Sequence, residues 1–196
     1  MAGKVAGQIR ELGMHIEEIA GAKMRDIVME GSDKAARFSD RRKLALWVKE
    51  AIDRLDACTS REKCKQIMAA CGHSCISHNN RMTLAVKARR QKCKTEEEFL
   101  KAEAKRPAKF TRIELRGKTL VQYYTPHTYT RPRRCFCGLM FALPEGMNAS
   151  PTYCQCSRGF VEKYWEAALG RPVKVEVAYT AITGGDECKF IVHLKS

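Results

Sequence analysis

The fold is decided by the stretch Pro107-Ala-Lys-Phe-Thr-Arg-Ile-Glu-Leu-Arg-Gly-Lys-Thr-Leu-Val-Gln-Tyr-Tyr124, where the periodicity of the sequence changes. Side chains alternate in character over residues 110–116, which is the two-residue period of a strand. Arg116-Gly117-Lys118 has the composition of a turn, and Thr119–Tyr124 predicts a returning strand. We therefore predict a β-hairpin that begins shortly after Pro107.

The chain before this hairpin predicts helices. Apolar residues recur at intervals of three and four, the spacing of one helix face, at Val5, Ile9, Leu12, Ile16, Ile19, Met24 and Ile27. A second amphipathic helix is expected over Leu44–Leu55. Thr59–Glu62 and Thr95–Glu98 have the spacing of capping boxes and predict two further helix starts, with Gly72 as the end of the first. Another helix is expected over about 79–93.

The chain after the hairpin predicts one helix and two more strands. Ser157 is the expected cap of a helix that ends at Gly170. Alternation at Val173, Val175 and Val177 and over Cys188–Leu194 predicts the strands, joined through Gly184-Gly185.

Together these patterns predict an α+β fold, with a helical N-terminal half followed by a twisted antiparallel sheet and a packed helix. The helical region is expected over 1–107 and a Cys-rich α+β region that binds a ligand or metal over 108–196. One continuous domain is the alternative.

Composition narrows the class of protein. The 196 residues are 44% hydrophobic and 30% charged, which excludes a disordered polymer. No apolar run approaches the ~20 residues of a membrane span, so no membrane partner is expected. Residues 1–10 contain no apolar block of the kind that a secretory signal has. We therefore expect a cytoplasmic protein.

The net charge of +14 is unevenly distributed. Residues 1–70, 71–140 and 141–196 have balances of +3, +11 and 0. A localised basic block is typical of nucleic-acid binding, although no recognition motif accompanies it. A solvated helix face around Lys87–Lys109 is the alternative. A third interpretation is that the positive charge surrounds cysteines and lowers the pKa of their thiols.

Ten cysteines are many for a chain without an export signal, and clustered cysteines in a reducing compartment indicate metal or redox chemistry. Six of them form three close pairs: Cys71 and Cys75, Cys135 and Cys137, and Cys154 and Cys156. The other positions that we assign to packing, as small buried apolar residues, are Cys58, Cys64 and Cys93.

The two Cys-x-Cys pairs, Cys135/Cys137 and Cys154/Cys156, are separated by 16 residues, and four thiolates are the ligand set of a structural zinc site. Nearby arginines could offset the negative charge of such a site: Arg131, Arg133, Arg134 and Arg158. Cys71 and Cys75, one helical turn apart, could instead form a separate redox dithiol. An iron–sulfur cluster ranks below zinc because no Cys-x₂-Cys run is present.

Histidines supply alternative ligands. His73 or His78 could replace one thiolate in a Cys₃His site. His127 lies among aromatic residues in the stretch 123–129, a setting that could line a pocket for a small molecule. His15 and His193 are assigned to structure.

The last 45 residues carry a resemblance to a known family. Cys154-Gln-Cys-Ser-Arg-Gly159, a helix ending at Leu169-Gly-Arg-Pro172, and Gly185-Asp-Glu-Cys-Lys-Phe190 follow one another in order. This series resembles the C-terminal part of the 4-vinyl-reductase-type domain and of the related 2-amino-thiazoline-4-carboxylate hydrolase-like proteins. In those families the hairpin closes on a Gly-Asp-x-x-Cys-x-Phe-like signature, and here Cys188 comes one residue earlier after the aspartate.

The resemblance covers between a quarter and a half of the chain. It implies an α+β domain that holds a small molecule or a metal between a twisted sheet and helices. It does not imply whether such a domain is an enzyme or a sensor, because fold does not fix function. Alternation with Phe190 and Val192 favours a core role for Cys188 in this chain.

The sequence is compatible with three functions. The first is a zinc-binding domain that binds a small ligand or senses redox state. The second is a hydrolase of the amino-thiazoline-carboxylate type, which would use a thiolate or a metal-bound water. The third is nucleic-acid binding through residues 71–140. A homodimer is compatible with each of them.

Overall fold

The computed structural model describes residues 2–78, 80–126 and 134–194. Up to residue 105 the described chain is helical. The helices are α1 (Ala2–Ala20), α2 (Ala22–Val28), α3 (Ser32–Ala35), α4 (Arg41–Cys58), α5 (Arg61–His78), α6 (Asn80–Gln91) and α7 (Glu96–Lys105). The predicted helical N-terminal half is confirmed.

Side-chain caps fix where two of these helices begin. Asp40 Oδ1 accepts the amide N–H of Arg42 at 2.8 Å, at the start of α4. Thr95 Oγ1 accepts the amide N–H of Glu98 at 3.1 Å, at the start of α7. Such caps satisfy amide groups that have no partner within the helix. The helix start predicted at Thr95 is therefore confirmed.

Two predictions about helix ends are wrong. The apolar stripe from Val5 to Ile27 does not lie on one helix, because Gly21 adopts a φ of 92° and separates α1 from α2. The helix α5 does not stop at Gly72 but continues to His78, and Gly72 is buried near its middle. This glycine serves tertiary packing rather than helix termination.

The strands form an antiparallel sheet. They are β1 (Thr111–Arg116), β2 (Thr119–Tyr124), β3 (Lys174–Tyr179) and β4 (Cys188–His193), in the order β1-β2-β4-β3 within the described residues. Gly117, with a φ of 59°, lies in the turn of the predicted β1–β2 hairpin. The strands confirm the α+β class that the change of period after residue 107 predicts.

The helix α8 (Gln155–Leu169) follows a short 3₁₀ turn at Pro151–Cys154. It begins two residues before Ser157, the predicted cap, because the chain enters the helix directly from that turn. It ends at Gly170, whose φ of 70° is the left-handed conformation expected of a C-terminal glycine.

Trp165 fixes α8 on the inner face of the sheet. Its side chain is fully buried, and its indole N–H donates a 2.8 Å hydrogen bond to Oε1 of Gln122 on β2. Its ring also meets that of Phe99 on α7 edge-on, with 6.3 Å between centroids. The helix α8 thereby joins the sheet to the helical half.

The apolar core lies on both sides of α8. One cluster combines side chains of α1, α4 and α5 with Tyr153, Cys154 and Ile182. The other combines Val86 and Phe99 with the sheet and α8. Each cluster therefore contains residues from before and after residue 107.

These helices are short or bear charged faces. Among the described residues, no helix has both the length and the apolar character that crossing a membrane requires.

Two glycines allow the backbones of α5 and α8 to touch. A Cβ atom at position 72 would overlap the carbonyl oxygen of Cys156 and lie 2.7 Å from the amide nitrogen of Phe160. A Cβ atom at position 159 would overlap the carbonyl oxygen of Ala69 and lie 2.9 Å from its Cα. Because both obstacles are backbone atoms, a larger residue at either position must push the helices apart.

We expect Gly72→Ala to lower the free energy of unfolding by about 3 kcal/mol, because the overlap outweighs the gain in helix propensity. Urea denaturation measures this change. Gly7→Ala is the matched control, since position 7 is also helical but has no atom within 4 Å of an added Cβ. The control should raise stability by about 0.5–1 kcal/mol. Equal effects of the two substitutions would contradict the close crossing.

Candidate functional site

Seven cysteines meet where α5, the segment 134–150, the start of α8 and the start of β4 come together. No cysteine of the described chain is in a disulfide, so each has a free thiol. The seven are Cys71, Cys75, Cys135, Cys137, Cys154, Cys156 and Cys188. Six of them are the residues that the sequence pairs, and Cys188 joins them from the last strand.

The crossing of α5 and α8 brings Cys71 and Cys75 of the first helix close to Cys156 of the second. Cys71 and Cys75 lie one turn apart on α5, and Gly72 between them touches the backbone of Cys156 on α8. The Cys71 and Cys75 side chains are half-buried there. The predicted placement of this pair across one helical turn is confirmed.

Four of the thiols form a mutually interacting group, which we call the four-thiol set: Cys71, Cys75, Cys137 and Cys156. Each possible pair within this set is close enough to interact electrostatically. The set combines two residues of α5, one of the 134–150 segment and one of α8. Residues that are far apart in sequence thus lie in one region of the fold.

The other three thiols form a second group, the three-thiol set: Cys135, Cys154 and Cys188. Every pair within this set also interacts electrostatically. The two sets adjoin each other, because Cys135 also interacts with Cys137 and Cys156. The pair Cys154/Cys156 is divided between the two sets, whereas Cys135 stays next to Cys137, whose amide N–H donates to its sulfur at 3.4 Å.

Local backbone conformation explains the division of the pair at 154–156. Cys154 ends the 3₁₀ turn and Cys156 lies in the first turn of α8. Two residues that are two positions apart on a helix point to nearly opposite sides, whereas in a strand they share a face. Cys156 therefore faces α5, and Cys154 lies with Cys188.

Three of the seven site cysteines accept hydrogen bonds at sulfur. Cys137 Sγ accepts the hydroxyl of Tyr153 at 3.0 Å, and Cys135 Sγ accepts the amide N–H of Cys137 at 3.4 Å. Cys188 Sγ accepts the amide N–H of Ala181 at 3.4 Å. Donors directed at sulfur stabilise negative charge on it, as in metal–thiolate sites.

Two cysteines outside the site behave differently. Cys64 Sγ donates to the carbonyl oxygen of Leu55 at 3.7 Å, and Cys93 Sγ donates to that of Arg89 at 3.7 Å. A thiol that donates retains its proton, as an ordinary packed cysteine does. Cys64 is buried as predicted, Cys93 is half-buried, and Cys58 is exposed, so the prediction of burial is wrong for Cys58.

Burial dominates the electrostatics of the site. Loss of solvation raises the pKa of Cys71 and of Cys154 to about 12 each, against an ordinary value of 9.0. Burial also raises the pKa of Cys135 and Cys156 well above that value. For Cys75, the nearby Lys4 opposes the increase in pKa but does not overcome it. The prediction that basic surroundings lower these thiol pKa values is therefore wrong.

The arginines expected to offset thiolate charge have other partners. Arg158 donates to Oε1 of Gln155 at 2.9 Å and to Oε2 of Glu162 at 3.3 Å. Arg134 donates to the carbonyl oxygen of Ala181 at 3.3 Å. Two other arginines of this prediction lie outside the described residues: Arg131 and Arg133.

The histidines also have partners of their own. His73 Nε2 lies 3.4 Å from Oε2 of Glu162, and His78 Nδ1 lies 3.1 Å from Oε1 of Glu11. The prediction for His127 falls outside the described residues. The geometry thus favours cysteine over histidine as the ligand type.

In the described part of the chain, no three or more His, Cys, Asp or Glu side chains stand in an arrangement that could hold a metal ion as it is. The thiols would therefore have to move before they could bind an ion.

The basic block over 71–140 is distributed over α6, α7 and the β1–β2 hairpin. Several of its cations pair with carboxylates, among them Arg89 with Glu103 at 2.7 Å and Arg116 with Glu114 at 2.6 Å. Nucleic-acid binding through this block stays a prediction.

Sequence reasoning missed Tyr153 and Thr180. Tyr153 is buried and donates to Cys137, and the Thr180 hydroxyl hydrogen-bonds the Cys154 thiol. An aromatic hydroxyl immediately before a cysteine was a usable signal for Tyr153. No local signal identifies Thr180, because the backbone between β3 and β4 brings it to the site.

Comparison with known proteins gives one family. The sequence model of a family of unknown function, DUF6144, matches residues 8–196. No curated protein matches the chain significantly.

The raised pKa of Cys154 makes the metal-free protein less stable at alkaline pH. Above about pH 9 this thiol ionises in the unfolded chain and stays protonated in the folded chain, so the unfolded state is favoured. One such thiol contributes at most about 1.4 kcal/mol per pH unit. Above about pH 9, we therefore expect the free energy of unfolding of Cys154→Ser to fall less steeply with pH than that of the wild type, by at most about 1.4 kcal/mol per pH unit.

Urea denaturation of wild type and variant in a chelator, from about pH 7 to pH 11, measures the difference. Below about pH 8 the two curves should run parallel, which is the internal control. Parallel curves over the whole range would contradict the raised pKa.

Proposed function

Because the chain belongs to DUF6144, whose function is unknown, we propose its function from the site alone: the protein binds one zinc ion through Cys71, Cys75, Cys137 and Cys156. The observation that carries this proposal is that each of the four thiols lies near enough to the other three to interact with them electrostatically. Zinc in structural sites takes four ligands in a tetrahedron, with Zn–S distances of about 2.3 Å.

The chemistry of the donor set supports zinc. Thiolate sulfur is a soft ligand, which zinc, monovalent copper and iron–sulfur clusters accept and magnesium or calcium do not. The sequence offers no Cys-x₂-Cys run of the kind common in iron–sulfur proteins. Tyr153 would help to orient the Cys137 sulfur, since its hydroxyl donates to that atom at 3.0 Å.

Buried thiols suit metal binding better than unassisted redox chemistry. A thiol whose pKa is about 12, such as Cys71, is almost wholly protonated at neutral pH and is a weak nucleophile. A divalent ion supplies the positive charge that stabilises the thiolates and displaces their protons into solvent. The high pKa of Cys71 therefore disfavours the alternative in which Cys71 and Cys75 act as a separate dithiol.

Bound zinc would connect the two halves of the fold. Its ligands would come from α5 on one side and from the 134–150 segment and α8 on the other. Structural zinc contributes on the order of 10 kcal/mol of apparent folding free energy in small domains. Sensing of a small ligand or of redox state through this centre remains part of the proposal, since oxidation of any ligand would release the ion.

A closed site disfavours the hydrolase alternative that the family resemblance implies. A catalytic zinc keeps one coordination position for water, whereas four protein ligands leave none. The four-thiol set has all four sulfur atoms, so it supports a structural or sensing role.

Metal analysis tests the proposal. Protein purified without a His-tag should contain about one zinc per chain, and Cys75→Ser and Cys137→Ser should reduce this below ~0.2 equivalents because three thiolates hold zinc less tightly than four. Cys58→Ser is the matched control, since Cys58 is exposed and lies outside the site. It should keep the full zinc content.

Two outcomes would overturn the proposal. One is a wild-type protein with less than ~0.2 equivalents of any metal after refolding in the presence of zinc. The other is a brown protein that absorbs near about 400 nm, which would indicate an iron–sulfur cluster in place of zinc.

A further inference from the structure

We propose that the outer face of α6 binds double-helical DNA by lying in its major groove. This face consists of Arg81, Leu84, Lys87, Ala88 and Gln91, together with Lys92 in the turn that closes the helix. None of these residues belongs to the four-thiol set, so the inference does not depend on the proposed zinc site. It rests on the charge of the helix and on the side chains that the fold leaves exposed along it.

The helix α6 lies in the longest stretch of the chain that contains no Asp or Glu, residues 63–95. The same stretch contains eight Lys and Arg, and six of them lie over 81–94. Elsewhere the chain mixes charges of both signs along its helices, as in α4 and α7. A helix with cations alone favours a polyanionic partner.

Two arginines of α6 serve the fold rather than a partner. The Arg89 guanidinium donates to Oε1 of Glu103 at 2.7 Å and to the hydroxyl of Tyr164 on α8 at 2.8 Å. Arg90 donates to the carbonyl oxygen of Cys93 at 3.1 Å. Together with the fully buried Val86, these contacts fix the inner side of α6 on the protein. The opposite side is left to solvent.

The cations of the outer face have no partner within the described chain. The side chains of Arg81, Lys87 and Lys92 are exposed, and they form no ion pair or hydrogen bond with any described residue. Leu84 is 59% exposed between them. The three positive charges are therefore free to contact phosphate groups.

The order of side chains around the helix suits a groove between two phosphate backbones. Successive residues are about 100° apart, so Arg81 and Lys87 lie about 120° from each other around the axis. Leu84, Ala88 and Gln91 lie between them on the same helical count. The face thus has a cation at each margin and uncharged side chains along its middle.

B-form DNA matches this arrangement. Its major groove is about 12 Å wide, and an α-helix with its side chains is about 10–12 Å across. Cations at the margins would contact the phosphates of both strands. Ala88 is small enough for close approach to the base edges, where Gln91 can hydrogen-bond adenine and Leu84 can contact a thymine methyl group.

Other polyanions fit the outer face of α6 less well. Single strands are held mainly by stacking on aromatic rings, and α6 has none. The major groove of double-helical RNA is too narrow for side chains to enter. Binding to an anionic membrane requires a broad apolar face, whereas Leu84 is the one large apolar residue among the six.

Fluorescence anisotropy of the full-length protein with a labelled DNA duplex of ~20 base pairs and mixed sequence tests the inference. We expect a Kd between about 1 and 100 µM at about 150 mM salt. Since three cations replace counterions, the logarithm of affinity should fall with the logarithm of salt concentration with a slope of about −3. Bound protein should displace methyl green, a major-groove dye, and leave netropsin in the minor groove.

Removal of two marginal cations should weaken binding selectively. Lys87→Gln/Lys92→Gln should lower affinity at ~50 mM salt by at least about tenfold and reduce the slope to about −1. The matched control is Lys34→Gln/Lys43→Gln, which removes the same charge from exposed lysines of α3 and α4. The control should bind DNA within about twofold of the wild type, because net charge alone contributes little at this salt concentration.

A carboxylate in the middle of the face tests its position in the groove. Ala88→Glu should lower affinity by at least about tenfold, because like charges then face each other. Ala57→Glu on α4 is the matched control and should bind as the wild type does. Both alanines are exposed, so the urea midpoint of either variant should equal that of the wild type.

Four outcomes would overturn the inference. They are no binding to the duplex at ~50 mM salt, equal binding by Ala88→Glu and wild type, displacement of netropsin in place of methyl green, and tighter binding to double-stranded RNA or anionic vesicles than to DNA.

Discussion

The backbone contact between α5 and α8 is the constraint on which the rest of the structure depends. Gly72 and Gly159 lie at the crossing, and each faces the main chain of the other helix without an intervening side chain. Helices in globular proteins usually approach to 8–10 Å because side chains separate them, so a crossing through two glycines is unusually close. Sheet and helical half meet through α8, so this contact sets the relative position of the two apolar clusters.

The same contact explains why the thiols converge. Cys71 precedes Gly72, and the carbonyl oxygen of Cys156 is the atom that Gly72 approaches most closely. Cysteines of two helices can share a site only if the helices are this close, because a cysteine side chain is short. Farther along α8, the indole N–H of Trp165 donates a hydrogen bond to Gln122 on β2. This bond holds the opposite face of the helix on the sheet. The fold and the cysteine site therefore have one cause.

Much of the fold follows from local sequence. Asp40 and Thr95 begin helices because their side chains bond the first free amide groups, and Gly117 lies in the turn of the hairpin with a positive φ. The two wrong predictions of helix ends both involve a glycine whose structural role differs from the one that its position in the sequence indicates. Gly21 breaks a helix although the apolar stripe continues past it, and Gly72 continues one although glycine is a common stop. A sequence does not distinguish a glycine that ends a helix from one that packs against another backbone.

Six of the seven cysteines of the candidate site were predictable from the sequence, but their grouping was not. Spacing alone identifies the paired cysteines, yet it treats Cys154 and Cys156 as neighbours on one face, whereas helical geometry sends them to opposite sides. Cys188 joins Cys154 only because β4 returns beside β2 and its amide partner lies on the preceding turn. Net charge is also a poor guide to the pKa values of these thiols. Desolvation depends on the packed fold, and it outweighs the positive charge that the sequence places near these thiols. In the zinc site that we propose, the thiols are costly to ionise without an ion and lie where the halves of the fold meet, so binding of the ion would be linked to folding.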